Sequence, residues 1–192
     1  MDIKNKKLLY HLTHYSNLKN IINNGLLSRN LCKSLLKVDV ADYNILSKRK
    51  ENRLDDYIPF HFYPNTSFDV AVRSKYNPED FVYITVSRKF AEENNFKIIP
   101  SHPLSGTYEI FDYQEGFSKI DWEMMEELMD NIEENKKKYA KMVKMAECIS
   151  EKSISVNDFA YIYCSSNIIE NLKKIFPDIA EKFRKGVWFN DN

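Results

Sequence analysis

His11 and Thr13 stand two residues apart in the run YHLTH, and that spacing is the first place where this sequence offers chemistry. In a strand, residues i and i+2 project from one face about 7 Å apart, so a ring nitrogen and a hydroxyl form a two-pronged polar pair. Such a pair suits a flat amide-bearing ligand or a ribose. It equally suits the wet face of an edge strand, and the spacing alone does not choose between them. Metal binding is disfavoured and none is expected, because His11, His14, His61 and His102 show neither HExxH nor paired His/Cys spacing. With four glycines and neither GxxxxGK[ST] nor GxGxxG, a phosphate cradle of backbone amides is disfavoured as well. A cysteine nucleophile needs a histidine brought close by the fold, and a buried thiol is the commoner condition.

The elements that must position these groups follow from local pattern. Residues 8–14 (LLYHLTH) read as a strand with Leu8, Tyr10 and Leu12 facing the core, opposite His11 and Thr13. The following SNLKNIINNG reads as a short helix, with Ser16 as N-cap, Leu18, Ile21 and Ile22 inward, and Gly25 as terminator. Residues 28–56 lack clean periodicity, and SKRKENRLDD reads as a solvated loop or helix face. YIPFHF (57–62) is strand-like, with Pro59 predicting a sheet edge or an irregular strand. FVYITVS (81–87) is the clearest strand, after which Ser87 caps a helix over RKFAEENN.

Pro, Ser and Gly punctuation predicts a loop with one short strand over 96–117. Ser118 and Asp121 then form a capping-box pattern before Trp122, Met125, Leu128, Met129, Ile132, Tyr139 and Val143, which recur at helical spacing. On pattern alone, Glu147 is an exposed acid at the end of that helix. A strand near 158–165 and helices over NIIENLKKIF and DIAEKFRKG complete the chain. Strands and helices without regular βαβ alternation predict an α+β domain spanning residues 1–192.

Composition sets outer limits. The 192 residues suit one domain with its own core. Lys+Arg and Asp+Glu both number 28, so an anionic partner must be bound locally rather than by a uniformly basic surface. Cys32, Cys148 and Cys164 are odd in number and far apart, which fits no disulfide framework and predicts a reducing, cytoplasmic setting. The apolar LLY near the N-terminus is too short for a signal sequence, and no span of about 18 apolar residues predicts membrane insertion.

Taken in order, YHLTHYSNLKNIINNGLL, the basic stretch with Arg49, DYIPFHFYPNTSF, SHPLSG, IDWEMM and MAECIS together resemble the DarT family of DNA ADP-ribosyltransferase toxins. In that family an H-x-T strand and short helix open the domain, a D-Y-V-P-F-x-F-x-P segment and an I-D-W segment follow, and the catalytic glutamate lies in an A-E-F-L-V strand. The resemblance covers roughly residues 8–165. Two departures stand out: the family's P-R-S reads Pro64, Asn65, Thr66, and A-E-F-L-V reads Ala146, Glu147, Cys148, Ile149, Ser150.

What the resemblance implies is an ADP-ribosyltransferase fold whose split central sheet clasps NAD, with ADP-ribose passed to a base of single-stranded DNA. It implies that His11 and Thr13 bind nicotinamide and its ribose, with Asn20 and Leu27 lining the same site. Arg49, with Lys50 and Arg53 as rivals for the role, would engage NAD phosphate and the target base, and Glu147 the nicotinamide ribose. Lys48, Lys50, Arg53, Tyr63 and His102 would then form the DNA track, basic groups interleaved with stacking surfaces. The implied partner besides DNA is a macrodomain-containing DarG-like antitoxin. The alternatives are the same fold acting on RNA or protein, and a catalytically inert module binding single strands.

Overall fold

The computed structural model describes residues 2–39, 43–104 and 108–186. In chain order the elements are β1 (Leu8–His14), α1 (Leu18–Asn24), α2 (Arg29–Cys32), α3 (Tyr43–Glu51), β2 (Ile58–His61), α4 (Ser67–Lys75), β3 (Phe81–Ser87) and α5 (Arg88–Glu93). Then come β4 (Lys97–Ile99), β5 (Phe111–Asp112), α6 (Tyr113–Lys119), α7 (Trp122–Glu126), α8 (Lys137–Val143), β6 (Glu147–Ser150), β7 (Tyr161–Cys164), α9 (Ser166–Ile175) and β8 (Phe183–Lys185). The strands form one sheet in the order β5-β4-β6-β2-β1-β3-β7-β8, antiparallel except for the β7–β8 pair. This is the mixed, α+β arrangement the pattern predicted.

β1 spans the expected residues but is central, not an edge. Its pairing with β3 is continuous from Leu8↔Ser87 to His14↔Phe81, whereas its pairing with β2 is the single register contact Tyr10↔His61. Beyond that contact the two strands part, and the sheet is split there. Pro59 shows why the split is tolerated. Its carbonyl accepts from His11 Nδ1 at 2.8 Å, so that residue's backbone faces β1, and the N–H that proline lacks falls in the gap where no ladder bond forms. An interior strand therefore carries the proline that had suggested an edge.

Both faces of β1 are buried. Leu9 packs with Phe60, Ile84 and Val86 in the main core, on the His11 and Thr13 side. Tyr10 and Leu12 join Val72, Phe81 and Tyr83 in a smaller cluster under α4. The expectation that the core lay on the Tyr10 side thus named only the lesser half.

Several other expectations are corrected. Ser16 is not the N-cap of α1; it lies in a 3-10 turn, where its hydroxyl donates to His14 Nδ1 at 2.8 Å. Gly25 does end α1, at φ +82°, and a Cβ there would come within 2.8 Å of the Ile154 carbonyl oxygen, which also accepts from the Leu26 amide. Residues 96–117 hold two short strands and the start of α6 in place of one strand in a loop.

The Met-rich helix is broken into α7 and α8. Asp121 caps α7, accepting from the Met124 amide, but Ser118 belongs to α6. Lys144 donates from Nζ to the Met125 and Glu127 carbonyls at 2.7 and 2.6 Å, satisfying the last turn of α7 so that no continuation is required. Tyr139 donates to Asp121 at 3.0 Å and folds α8 back against α7. Near the C-terminus FRK forms β8, because Phe183 is 1 % exposed and packs beside Phe176.

Candidate active site

The parted strands β1 and β2 open a cleft of about 510 Å³, within the size range of small-molecule and cofactor sites. Side chains from β1, α1, α3, the first turn of α4, the loop after β4 and the start of β6 line it. Glu147 is a buried acid of this cleft. It is the first residue of β6, with a side chain 6 % exposed, and not the solvated end of a helix. His61 of β2 and Ile99 of β4 are its cross-strand partners.

Arg49 reaches Glu147 from α3. Its Nη1 donates to both carboxylate oxygens, at 2.8 and 3.1 Å. Ile45, Leu46 and Arg49 all line the cleft, three and four residues apart on one helix face. Lys48 and Lys50 lie off that face and are exposed, as is Arg53 in the αL turn after the helix, at φ 56°. Of the three basic rivals, Arg49 alone makes an ion pair with Glu147. Arg49 Nη2 is buried and has no hydrogen-bond partner among the described residues. A buried guanidinium nitrogen left unpaired is costly, and it offers a ready donor to an acceptor in the cleft.

His11 and Thr13 come to the same cleft. The His11 Nδ1–H donates to Pro59, leaving Nε2 as the nitrogen with the lone pair. Burial is the main cause of a His11 pKa pushed down to about 4, against the opposing effect of the Pro59 bond, so the ring is neutral at physiological pH. Thr13 Oγ1 accepts from Asn17 at 3.2 Å. His14 leaves this group and packs edge-on to Phe81.

The neutral His11 sets an acid limit on stability. Its folded pKa lies below the ordinary 6.5, so the unfolded chain binds the proton first as pH falls. Stability present above pH 6.5 is therefore lost as pH drops towards about 4. Roughly 2–3 kcal/mol is expected to go between about pH 7.5 and about pH 4.5. Urea melts across that range check it; His11→Gln should flatten the profile, and an unchanged slope in that variant would remove His11 as its source.

Asn17 and Asn20, one turn apart, hold the segment after α2 over the cleft. Asn17 accepts from the amides of Lys37 and Val38 and donates to the Val38 carbonyl at 2.8 Å, and Asn20 donates to the Leu35 carbonyl. Leu35, Leu36 and Val38 thereby become cleft walls, and Leu27, just after α1, lines the cleft with them. His102 also lines the cleft; its Nδ1 accepts from the Leu104 amide at 3.0 Å, and burial lowers its pKa, with Glu147 pulling the other way. Tyr63 is elsewhere, packed against the main core with its hydroxyl donating to the Lys144 carbonyl.

The departure at Asn65 takes a local form: it adopts φ 64°, its amide donates to the Tyr83 hydroxyl, and its side chain accepts from Arg73. Sequence reasoning passed over His61 and Asn17 as site residues. The four-residue step from Thr13 to Asn17, across a strand end into a helix start, is the signal that could have found the latter. Among the described residues no group of three His, Cys, Asp or Glu could hold a metal ion, and no helix is long and apolar enough to cross a membrane.

Comparison with known proteins gives this geometry a context. A family profile described as "ssDNA thymidine ADP-ribosyltransferase, DarT" matches residues 10–182. Among solved structures, Thermus sp. 2.9 DarT in complex with ADP-ribosylated ssDNA matches with TM-score 0.77 and 23 % identity, over 93 % of this chain and 91 % of that one. Thermus sp. 2.9 DarT in complex with NAD+ matches with TM-score 0.73 and 22 % identity, over 94 % and 93 %. Thermosipho africanus DarTG in complex with ADP-ribose matches with TM-score 0.78 and 21 % identity, over 96 % of this chain and 51 % of that chain. No curated protein matches the sequence.

Proposed function

Because the chain belongs to the DarT family and is an NAD-dependent ADP-ribosyltransferase of single-stranded DNA, we propose that it joins ADP-ribose to thymidine, with Glu147 and Arg49 at the reacting centre. The observation that carries the reading is the buried Arg49–Glu147 pair in the split of the sheet, with one guanidinium nitrogen unpaired among the described residues.

Breaking the bond between nicotinamide and ribose builds positive charge on the sugar. A carboxylate hydrogen-bonded to a ribose hydroxyl is stabilising most where that charge develops, and Glu147 has the charge and the rigid strand to do this. Arg49 acts by position and charge, since guanidinium does not give up its proton. Nη1 orients Glu147, and Nη2 is available to a pyrophosphate or base oxygen. His11 and Thr13 hold the nicotinamide end, with Asn20 and Leu27 closing the wall beside it. Lys48, Lys50, Arg53 and His102 take the DNA strand, the first three through phosphates.

Coverage of about half the Thermosipho DarTG chain supports the toxin part of a toxin–antitoxin pair, opposed by a macrodomain-containing DarG-like partner. A target in single-stranded DNA supports a cytoplasmic site of action.

The test is incubation with NAD and single-stranded oligonucleotides of varied sequence, read by mass. One added ADP-ribose is expected on strands that contain thymidine and on no others. Absence of an adduct on every DNA sinks the reading. Labelling of RNA or protein but not DNA from labelled NAD would favour the same fold with another substrate, and salt-sensitive strand binding without NAD turnover an inert module.

A further inference from the structure

Transfer of ADP-ribose to thymidine, the proposed function on which the identity of the base depends, leaves one proton to be placed. Thymine in a nucleoside has a single N–H, at N3. Whether ribose C1′ bonds to N3 or to a neighbouring carbonyl oxygen, that proton must leave. Nicotinamide departs with the electron pair of the broken C1′–N bond, the base supplies the pair for the new bond, and one proton remains.

Five of the titratable groups that line the cleft lie close enough to act on one another's charge, and these compete to receive it. Arg49 is charged and already donates to both oxygens of Glu147, whose negative charge is committed to that pair and to the ribose cation. The neutral His102 ring accepts at Nδ1 from Leu104, so its proton sits on Nε2 and it offers a donor, not a lone pair. His11 has a free Nε2, but its enclosed ring is held near pKa 4 and is a weak base. His61 differs from all four. Its Nδ1 donates to the Ala146 carbonyl at 3.3 Å, which leaves the lone pair on Nε2, and the half-buried ring lines the cleft beside its cross-strand partner Glu147.

We propose that Nε2 of His61 is the general base that takes the N3 proton from the target thymine. The charged and titratable groups that share the cleft with the ring include Glu147 of β6, Arg49 of α3, His11 of β1, His102 of the loop after β4 and Lys141 of α8. The ring then returns the proton to water.

His61→Gln keeps a polar side chain of similar reach without the base. It is expected to lower kcat for transfer to thymidine by about 100-fold, with KM for NAD within about threefold. The wild-type rate should fall with unit slope as acid protonates the base, and the variant should lack that limb. Placing 5-fluoro-2′-deoxyuridine at the target position, with deoxyuridine as control, supplies a more acidic N3–H. The fluoro base should rescue the variant far more than it accelerates the wild type. His61→Asn, smaller and less able to crowd the strand, should repeat both results. Retention of the acid limb in the variants, or equal response of wild type and variants to the fluoro base, overturns the assignment. A wild-type protein that modifies no thymidine is a different result, and overturns the function itself together with this role for His61.

Discussion

Replacing Glu147 by glutamine is expected to lower kcat/KM for DNA ADP-ribosylation by about 1,000-fold, or about 4 kcal/mol of transition-state stabilisation. The change keeps the shape of the side chain and one oxygen for Arg49, so what is lost is the negative charge facing the developing cation. The loss should fall mainly on kcat, because ground-state NAD carries less charge at that ribose than the transition state does. Glu147→Ala has a second effect that separates charge from structure. It leaves Arg49 buried without its counter-charge, since Nη1 then joins Nη2 in lacking a partner among the described residues. Removing one partner of a buried pair typically costs about 3–5 kcal/mol of stability. Mass-detected adduct rates and thermal melts on both variants check this. A glutamine variant within tenfold of the wild type would remove Glu147 from the reacting centre.

Which features were legible in the sequence depends on which interactions are local. The strand at 8–14, the Ser87 cap and the glycine stop at Gly25 depend on neighbours within a turn or two, and all were legible. The position of β1 and β2 in the middle of the sheet was not, because it is decided by partners 48 and 85 residues away: His11 binding Pro59, and His61 meeting Ala146. Pro59 misled for the same reason. A missing N–H excludes a residue from a ladder only where a ladder exists, and here the strands have parted.

The single helix expected over 118–143 failed because of side chains from outside its own period. Lys144 completes α7 at its carbonyl end, and Tyr139 ties α8 to Asp121. Arg49 could be picked from its basic neighbours only once α3 was known to be a helix, since Ile45 and Leu46 then share its face. Glu147 became interpretable through the ordered motifs, while pattern alone left it a surface acid.

Arg88 carries the largest stability effect expected outside the cleft. It opens α5, yet it is 7 % exposed and reaches back to the N-terminal segment and the residue after β2. Its guanidinium donates to the carbonyls of Ile3, Lys4, Leu8 and Phe62, at 2.9, 2.8, 3.4 and 3.1 Å. The rings of Phe62, Phe117 and Trp122 surround it at 5.2, 5.9 and 5.6 Å. Four carbonyls and three ring faces stand where a carboxylate partner would ordinarily be, and burial lowers the arginine's pKa accordingly. Methionine would fill much the same volume and keep contact with the rings, but would leave those carbonyls without donors. At about 1 kcal/mol or more for each buried acceptor, partly relieved where the N-terminal residues can reach water, the expected cost is about 3 kcal/mol. Lysine would keep the charge but not the planar fork that reaches all four, so Arg88→Lys should lose about 2 kcal/mol. For a chain of this size these changes lower Tm by roughly 6–12 °C and 4–8 °C respectively. Because Arg88 lies outside the cleft, activity per folded molecule should hold in both variants at low temperature. Melting of Arg88→Met at the wild-type temperature would mean that the aromatic cage alone holds the N-terminal segment, with the carbonyls satisfied by water instead.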